Sequence, residues 1–224
     1  MIEFVSFSKC TDEINTLHET TKYIIQSNSS PKKVINRVLL SHLILLGTLL
    51  ESFTENIIRE YMDKIILLFN SGKISFIQLP ESIQHFIAKS AVEQHSGKKG
   101  FSELKTKQIL KMMSQFINRI GSKGFFIDRE LEGIEKFSFG KHGEGEIKKT
   151  LQRIGIEVKH NNMSFETLNA FFALRNQLIH PENITAEVPA DVGLDQVEYF
   201  TGEILIYATA LHKILQTELA NFCK

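Results

Sequence analysis

The chain has 224 residues, enough for one sizeable core or at most two small ones. With 42% hydrophobic and 23% charged residues it has the make-up of a soluble globular protein, and its 26 Lys plus Arg balance 26 Asp plus Glu, which argues against a global field drawing in nucleic acid or anionic membrane. Thirteen Gly and 4 Pro against many Leu, Ile and Phe argue against a turn-rich β architecture and favour an all-α fold.

Cys10 and Cys223 lie near opposite termini, with neither metal-ligand spacing nor a disulfide framework, so a reducing cytosol is the expected compartment. The opening Met1-Ile-Glu-Phe4 lacks the basic-then-apolar order of a signal peptide. The most apolar run, Val38 to Leu50, is interrupted by Ser41, His42 and Thr48. A membrane span needs about 20 apolar residues, so the expectation is a buried helix in a cytoplasmic protein with no membrane partner.

In chain order, a first helix is predicted from Thr11 to Gln26, with Ile14, Leu17 and Ile24 inward. Ser29-Ser30-Pro31 opens a second, with Ser30 as cap and Pro31 at the first helical position. This helix runs to Asn70, where Asn-Ser-Gly stops it; Leu39, Leu43, Leu46, Leu50, Ile57 and Tyr61 share one face, and Gly47 is a candidate kink. It is the expected central helix of the core. A short helix begins at Pro80 and carries Ile83, Phe86 and Ile87, and another spans Ser102 to Ile120. Between Gly121 and Gly155 the pattern weakens, and 140–145 (Gly-Lys-His-Gly-Glu-Gly) reads as a mobile loop. Residues 96–160 hold 14 Lys/Arg and 8 Asp/Glu, a net of +6 that leaves −6 for the remainder. That excess is either a solvated insertion or a basic flank for phosphates, with Lys98, Lys99, Lys148 and Lys149 the candidate RNA contacts.

The next helix, Ser164 to His180, carries the most informative residue. At about 100° per residue, Phe165, Leu168, Phe171, Phe172, Leu178 and Ile179 fall within roughly 80° of one direction, and Arg175 lies in the middle of that stripe. A guanidinium does not lose its proton, so it must find an anion or stay wet. Asn169, Asn176 and His180 form a polar strip on one flank, and the helix ends at His180-Pro181. After a loop to Gly193, a last helix packs back through Val197, Ile204, Ala208, Leu211 and Leu215.

Arg175, Asn176 and His180 suit phosphodiester cleavage without a metal. An imidazole has the pKa range to take a proton from a ribose 2′-hydroxyl. A guanidinium offers a planar fork to the phosphate as charge develops, and Asn176 can orient the histidine or donate to a phosphate oxygen. The acids show no two-metal spacing, and there is no Gly-rich phosphate loop, so no metal and no cofactor is expected. On an ideal helix Arg175 and His180 point about 140° apart. Either the last turn unwinds ahead of Pro181, or two copies of the helix meet across a two-fold axis.

The pattern Arg175-Asn-Gln-Leu-Ile-His180, with the apolar helix 39–58 and its embedded acid upstream, resembles the HEPN superfamily, and within it the RiboL-PSP-HEPN group. The resemblance is carried by residues 31–70 and 163–220. It implies one HEPN-like helical-bundle domain over 1–224, with a long central helix and 71–162 as a helical insertion. It also implies a homodimer with facing motifs and a metal-independent endoribonuclease leaving 2′,3′-cyclic phosphate and 5′-hydroxyl ends. The setting it implies is a toxin with an antitoxin partner, or an antiphage component. Glu51, among Leu40, Ile44, Gly47 and Ile58 on one face, needs a partner, and Arg175 is the obvious one. Two other readings stay open: a non-catalytic helical interaction protein, such as an antitoxin or assembly subunit using the same face, and a nucleotide-binding module without nuclease chemistry.

Overall fold

A computed structural model describes residues 3–27, 31–96, 111, 114, 144–157, 165–179 and 192–222. Their elements are α1 (Val5–Ser27), α2 (Lys32–Asn70), a 3-10 turn (Phe76–Gln78), α3 (Glu81–Ser96), α4 (Glu144–Arg153), α5 (Phe165–Ile179) and α6 (Leu194–Asn221). No strand occurs among the described residues, so the fold is all-α, as the composition predicts.

The long helix α2 is the axis of the bundle. Its face Leu39, Leu43, Leu46, Leu50, Ile57 and Tyr61 is buried as expected. Leu43, Leu46, Leu50, Ile57, Ile58 and Ile65 have no exposed surface. Each such side chain stabilises the fold by roughly 1.5–3 kcal/mol, so packing rather than helix propensity holds α2. It ends where the Asn-Ser-Gly stop is predicted: the amides of Ser71, Gly72 and Lys73 donate to the carbonyls of Leu67, Phe69 and Leu68. Its start differs from expectation. Pro31 takes the cap place with an extended ψ of 141° rather than the first helical position, and Ser30 lies outside the described residues.

Around this axis α1 runs antiparallel, joining Ser6 to Glu60 at one end and Thr21 to His42 at the other. Helix α6 runs parallel to α2, with Val192 against Asn36 and Thr201 against His42. The predicted inward set Val197, Ile204, Ala208, Leu211 and Leu215 of α6 is buried. By length and composition α2 is apolar enough to cross a membrane, a test the central helix of a soluble bundle also passes. Thirteen of its residues are buried within the protein, which is compatible with a soluble chain.

Two helices depart from the sequence reading. Helix α1 starts at Val5, six residues before Thr11, because a distant residue caps it. The Glu60 carboxylate accepts from the amides of Val5 and Ser6, both at 3.0 Å, and from the Ser6 hydroxyl at 2.8 Å. Burial works against that carboxylate, but the Ser6 and Val5 hydrogen bonds and the Lys64 charge outweigh it and hold its pKa below the ordinary range. Helix α4 occupies a stretch where the sequence pattern weakens, and Glu144 and Gly145, expected in a loop, are its first residues. Its inward face is only Ile147, Thr150 and Leu151, and its cap again comes from afar. Asn169 of α5 accepts from the Glu144 amide at 3.1 Å and donates to the Glu144 carboxylate at 2.8 Å.

The chain leaves α4 through Gly155, at φ +81°, whose missing side chain lets Pro80 pack against it; a Cβ there would lie 2.2 Å from the proline Cβ. Within the segment 71–162, Ile74, Leu79, Ile83, Ile87, Ile147, Leu151, Ile154 and Ile156 belong to the common buried cluster. The predicted helix from Ser102 to Ile120 falls outside the described residues except for Lys111 and Ser114, which are helical and exposed.

Candidate active site

Helix α5 forms from the apolar spacing read in the sequence, and it buries Phe165, Leu168, Phe171, Phe172 and Leu174. Leu174 is an addition to the predicted stripe; Leu178 and Ile179 are only partly buried. Arg175 sits on the face turned toward α2. Its terminal nitrogen Nη2 donates to Glu51 Oε2 at 3.3 Å, the predicted pairing, and Nη1 donates to Asn176 Oδ1 at 3.4 Å. The Arg175 and Glu51 side chains are 14% and 32% exposed.

Both bonds are long. Charged N–H to carboxylate bonds usually close to about 2.7–2.9 Å. The third nitrogen, Nε, is buried and has no hydrogen-bond partner among the described residues. A guanidinium has five N–H donors, so with one bond at each terminal nitrogen those two nitrogens retain donors for another anion, while the buried Nε faces Gly47. The carboxyl of Glu51 is likewise not fully compensated. Burial raises its pKa more than the neighbouring Arg175 lowers it, and Glu55, one turn on, raises it further. The pair is a loose one in which desolvation outweighs attraction.

What makes the approach possible is Gly47, which stands one helical turn before Glu51 on the same face of α2. The Arg175 stem crosses α2 at this glycine. A Cβ built on Gly47 would lie 3.1 Å from Arg175 Nε and 3.2 Å from Cγ. In the sequence alone Gly47 falls beside Glu51 and suggests only a kink. The available signal was a small residue one turn from a buried acid, opposite an arginine that must cross an apolar face.

Other predicted site residues are placed variously. Asn176 is half-buried and accepts from Arg175, so its amide oxygen serves the arginine. Asn169, on the same predicted polar strip, is used to cap α4. Helix α5 keeps its path through Ile179, so no unwinding occurs between Arg175 and that residue; His180 itself lies outside the described residues. Lys148 pairs with Glu144 and stands 4.8 Å over the Phe165 ring, while Lys149 pairs with Glu146 at 3.0 Å. Each therefore has a local anion that a phosphate would have to displace. Lys98 and Lys99 lie outside the described residues.

No cluster of three or more His, Cys, Asp or Glu side chains suited to a metal ion occurs among the described residues. A cavity of about 400 Å³ lies between α1 and α2, lined by Lys9, Cys10, Ser52, Asn56, Arg59 and Glu60 among others, and none of Gly47, Glu51, Arg175 or Asn176 borders it. Its thiol, Cys10, is buried, and burial together with Glu13 pushes its pKa up to about 12, which makes it a poor nucleophile.

A long apolar helix that carries an acid, packed against a shorter helix that bears Arg175 and Asn176 and that the sequence continues into His180, defines an all-helical protein of the HEPN type. The profile of the RiboL-PSP-HEPN family matches residues 6–217, and the chain belongs to that family. No curated protein and no solved structure gives a significant match. The match includes the segment 71–162, which the sequence reading treats as an insertion between the bundle helices.

Proposed function

We propose that the protein is a metal-independent endoribonuclease in which Arg175 binds the scissile phosphate and His180 moves the proton. The observation that carries this reading is the incompletely occupied guanidinium: a 14%-exposed arginine with two long bonds and an orphaned Nε on a helix that leads directly to His180. The family supports an RNase or nucleotide-related role in general terms.

In the proposed reaction His180 removes the proton of the ribose 2′-hydroxyl. The 2′ oxygen attacks phosphorus, the bond to the 5′ oxygen breaks, and that oxygen takes up a proton from the imidazolium or from water. The products are a 2′,3′-cyclic phosphate and a 5′-hydroxyl. Arg175 stabilises charge on the non-bridging oxygens, Asn176 keeps the fork aligned, and Glu51 supports it from α2. A homodimer, with two α5 helices facing each other, brings Arg175 of one copy toward the histidine of the other and resolves the divergence of the two residues along a single helix. In this reading the protein is a cytoplasmic toxin or antiphage effector, held in check by an antitoxin or another defence protein, with Lys98, Lys99, Lys148 and Lys149 guiding RNA.

The test is cleavage of RNA in EDTA by the purified protein. Activity should disappear in His180→Ala and in Arg175→Ala while both variants stay folded and dimeric; cleavage that needs added Mg²⁺ or survives both changes refutes the proposal. The pairing of Arg175 with Glu51 within one chain favours a second reading, a non-catalytic interaction protein whose ion pair is structural. Under it RNA stays intact in all conditions, and Arg175→Ala weakens association or folding instead.

A further inference from the structure

We infer that Gly47 is a positioning residue: the absence of a side chain there seats Arg175 against α2 and fixes the direction of its guanidinium. The inference deepens the nuclease reading and rests on it for its effect on activity, but its structural half stands on packing alone. The contacts a Gly47 Cβ would make are with Arg175 Nε at 3.1 Å, Cγ at 3.2 Å and Cδ at 3.5 Å. Cγ and Cδ are stem carbons, and Nε is the guanidinium nitrogen that joins the stem. A clash with the tip of a long side chain is relieved by swinging the tip away, whereas Cγ moves only with the first side-chain torsion on a backbone placed by α5, itself held by buried Leu168, Phe171, Phe172 and Leu174. Relief requires Arg175 or α5 to give by a few tenths of an ångström. A shift away from α2 lengthens the bond to Glu51, already 3.3 Å.

The surroundings point the same way. Gly47 is buried in the middle of a 39-residue helix, where glycine is the costliest residue after proline. Nothing about its backbone calls for glycine: among the described residues the positive-φ glycines are Gly72 and Gly155. The requirement is steric, and the residue that imposes it is Arg175. Gly202 on α6 supplies an internal control, because a Cβ there meets nothing within 4 Å.

The difference between the two glycines gives a test by sign. Replacing an unconstrained helical glycine by alanine should favour folding by roughly two- to fivefold in the equilibrium constant. Gly202→Ala is expected to show that gain. Gly47→Ala is expected to show none, or a loss, in the otherwise unchanged chain, and to recover the gain in an Arg175→Ala background. Urea denaturation of the four chains in that cycle measures the reversal. In RNA cleavage, Gly47→Ala should lower kcat by about 10- to 100-fold with little change in KM, because the fork is displaced from the developing charge rather than removed. A Gly47→Ala chain that is stabilised like Gly202→Ala and keeps its kcat overturns the inference. If no variant or parent cleaves RNA, the nuclease reading fails, while the stability cycle still decides whether Gly47 seats Arg175.

Discussion

Helix α2 carries two polar residues nine positions apart, His42 buried and Glu51 half-buried, and they are treated in opposite ways. His42 is 1% exposed and fully partnered: its Nδ1 lies 2.9 Å from the Thr21 hydroxyl and its Nε2 lies 3.1 Å from the Thr201 hydroxyl. Because Thr201 gives its own proton to the Val197 carbonyl at 2.7 Å, it accepts from His42, so the ring is neutral with its proton on Nε2 and accepts from Thr21. This node ties α1, α2 and α6 together with every donor matched. Glu51, in contrast, meets Arg175 through one long bond, and the buried Nε of that arginine has no hydrogen-bond partner among the described residues. A saturated node specifies packing, and an unsaturated charged node retains capacity for something that arrives later.

The largest effect that would sharpen this contrast is at Arg175. Arg175→Ala is expected to lower RNA cleavage by about 100- to 1000-fold, the usual loss when a donor to transition-state charge is removed. Since the pair is loose and Glu51 is partly wet, unfolding should move by no more than about 1 kcal/mol. Steady-state kinetics beside denaturant titration separates the two. A stability loss that matches the activity loss would place Arg175 with His42 as a structural residue.

His42 should behave the other way. His42→Ala removes a buried ring and leaves two threonine hydroxyls without their partner, which should cost about 2–4 kcal/mol. Cleavage per folded molecule should be unchanged. The same node predicts a pH effect. Burial, with the neighbouring His18 ring 6.0 Å away adding to it, lowers the His42 pKa from 6.5 to about 4. The folded state therefore holds fewer protons than the unfolded state between these values. The contribution of about 3 kcal/mol is fully present above pH 6.5 and is lost as pH falls toward 4. Denaturation at pH 7 and pH 4.5 should show the wild type losing more stability than His42→Gln; parallel losses would refute the assignment.

These two nodes also mark how much was readable in advance. The central helix, its buried face, the Arg175 stripe and the Glu51 partner all follow from periodicity and from the need of buried charges for each other. The start of α1 and the whole of α4 did not, because their caps come from Glu60 and Asn169, distant in sequence. His42 could be read only as a core or surface residue, since Thr21 and Thr201 lie on two other helices. Gly47 was visible as small and near Glu51, but its purpose depends on where α5 crosses. Local pattern reveals which residues are buried; what they touch across the bundle requires the packing.

The smallest expected effect is at Glu51, and it tests whether the unsaturated node is poised for an anion. With its pKa raised by burial, Glu51 favours the folded state only while protonated. Its contribution is present below the ordinary carboxyl value and is lost as pH rises through its folded value. This slope is opposite to that of His42. Glu51→Gln removes the burial cost of the charge and leaves a neutral acceptor for Arg175 Nη2. Stability relative to wild type should therefore improve as pH rises from the acidic range to neutrality. In cleavage assays the resident carboxylate no longer competes with phosphate, so KM for RNA should fall by up to about fivefold, the worth of a partly exposed ion pair, with kcat nearly unchanged. A higher KM would mean that the support Glu51 gives the guanidinium depends on its negative charge and not only on the acceptor that glutamine retains.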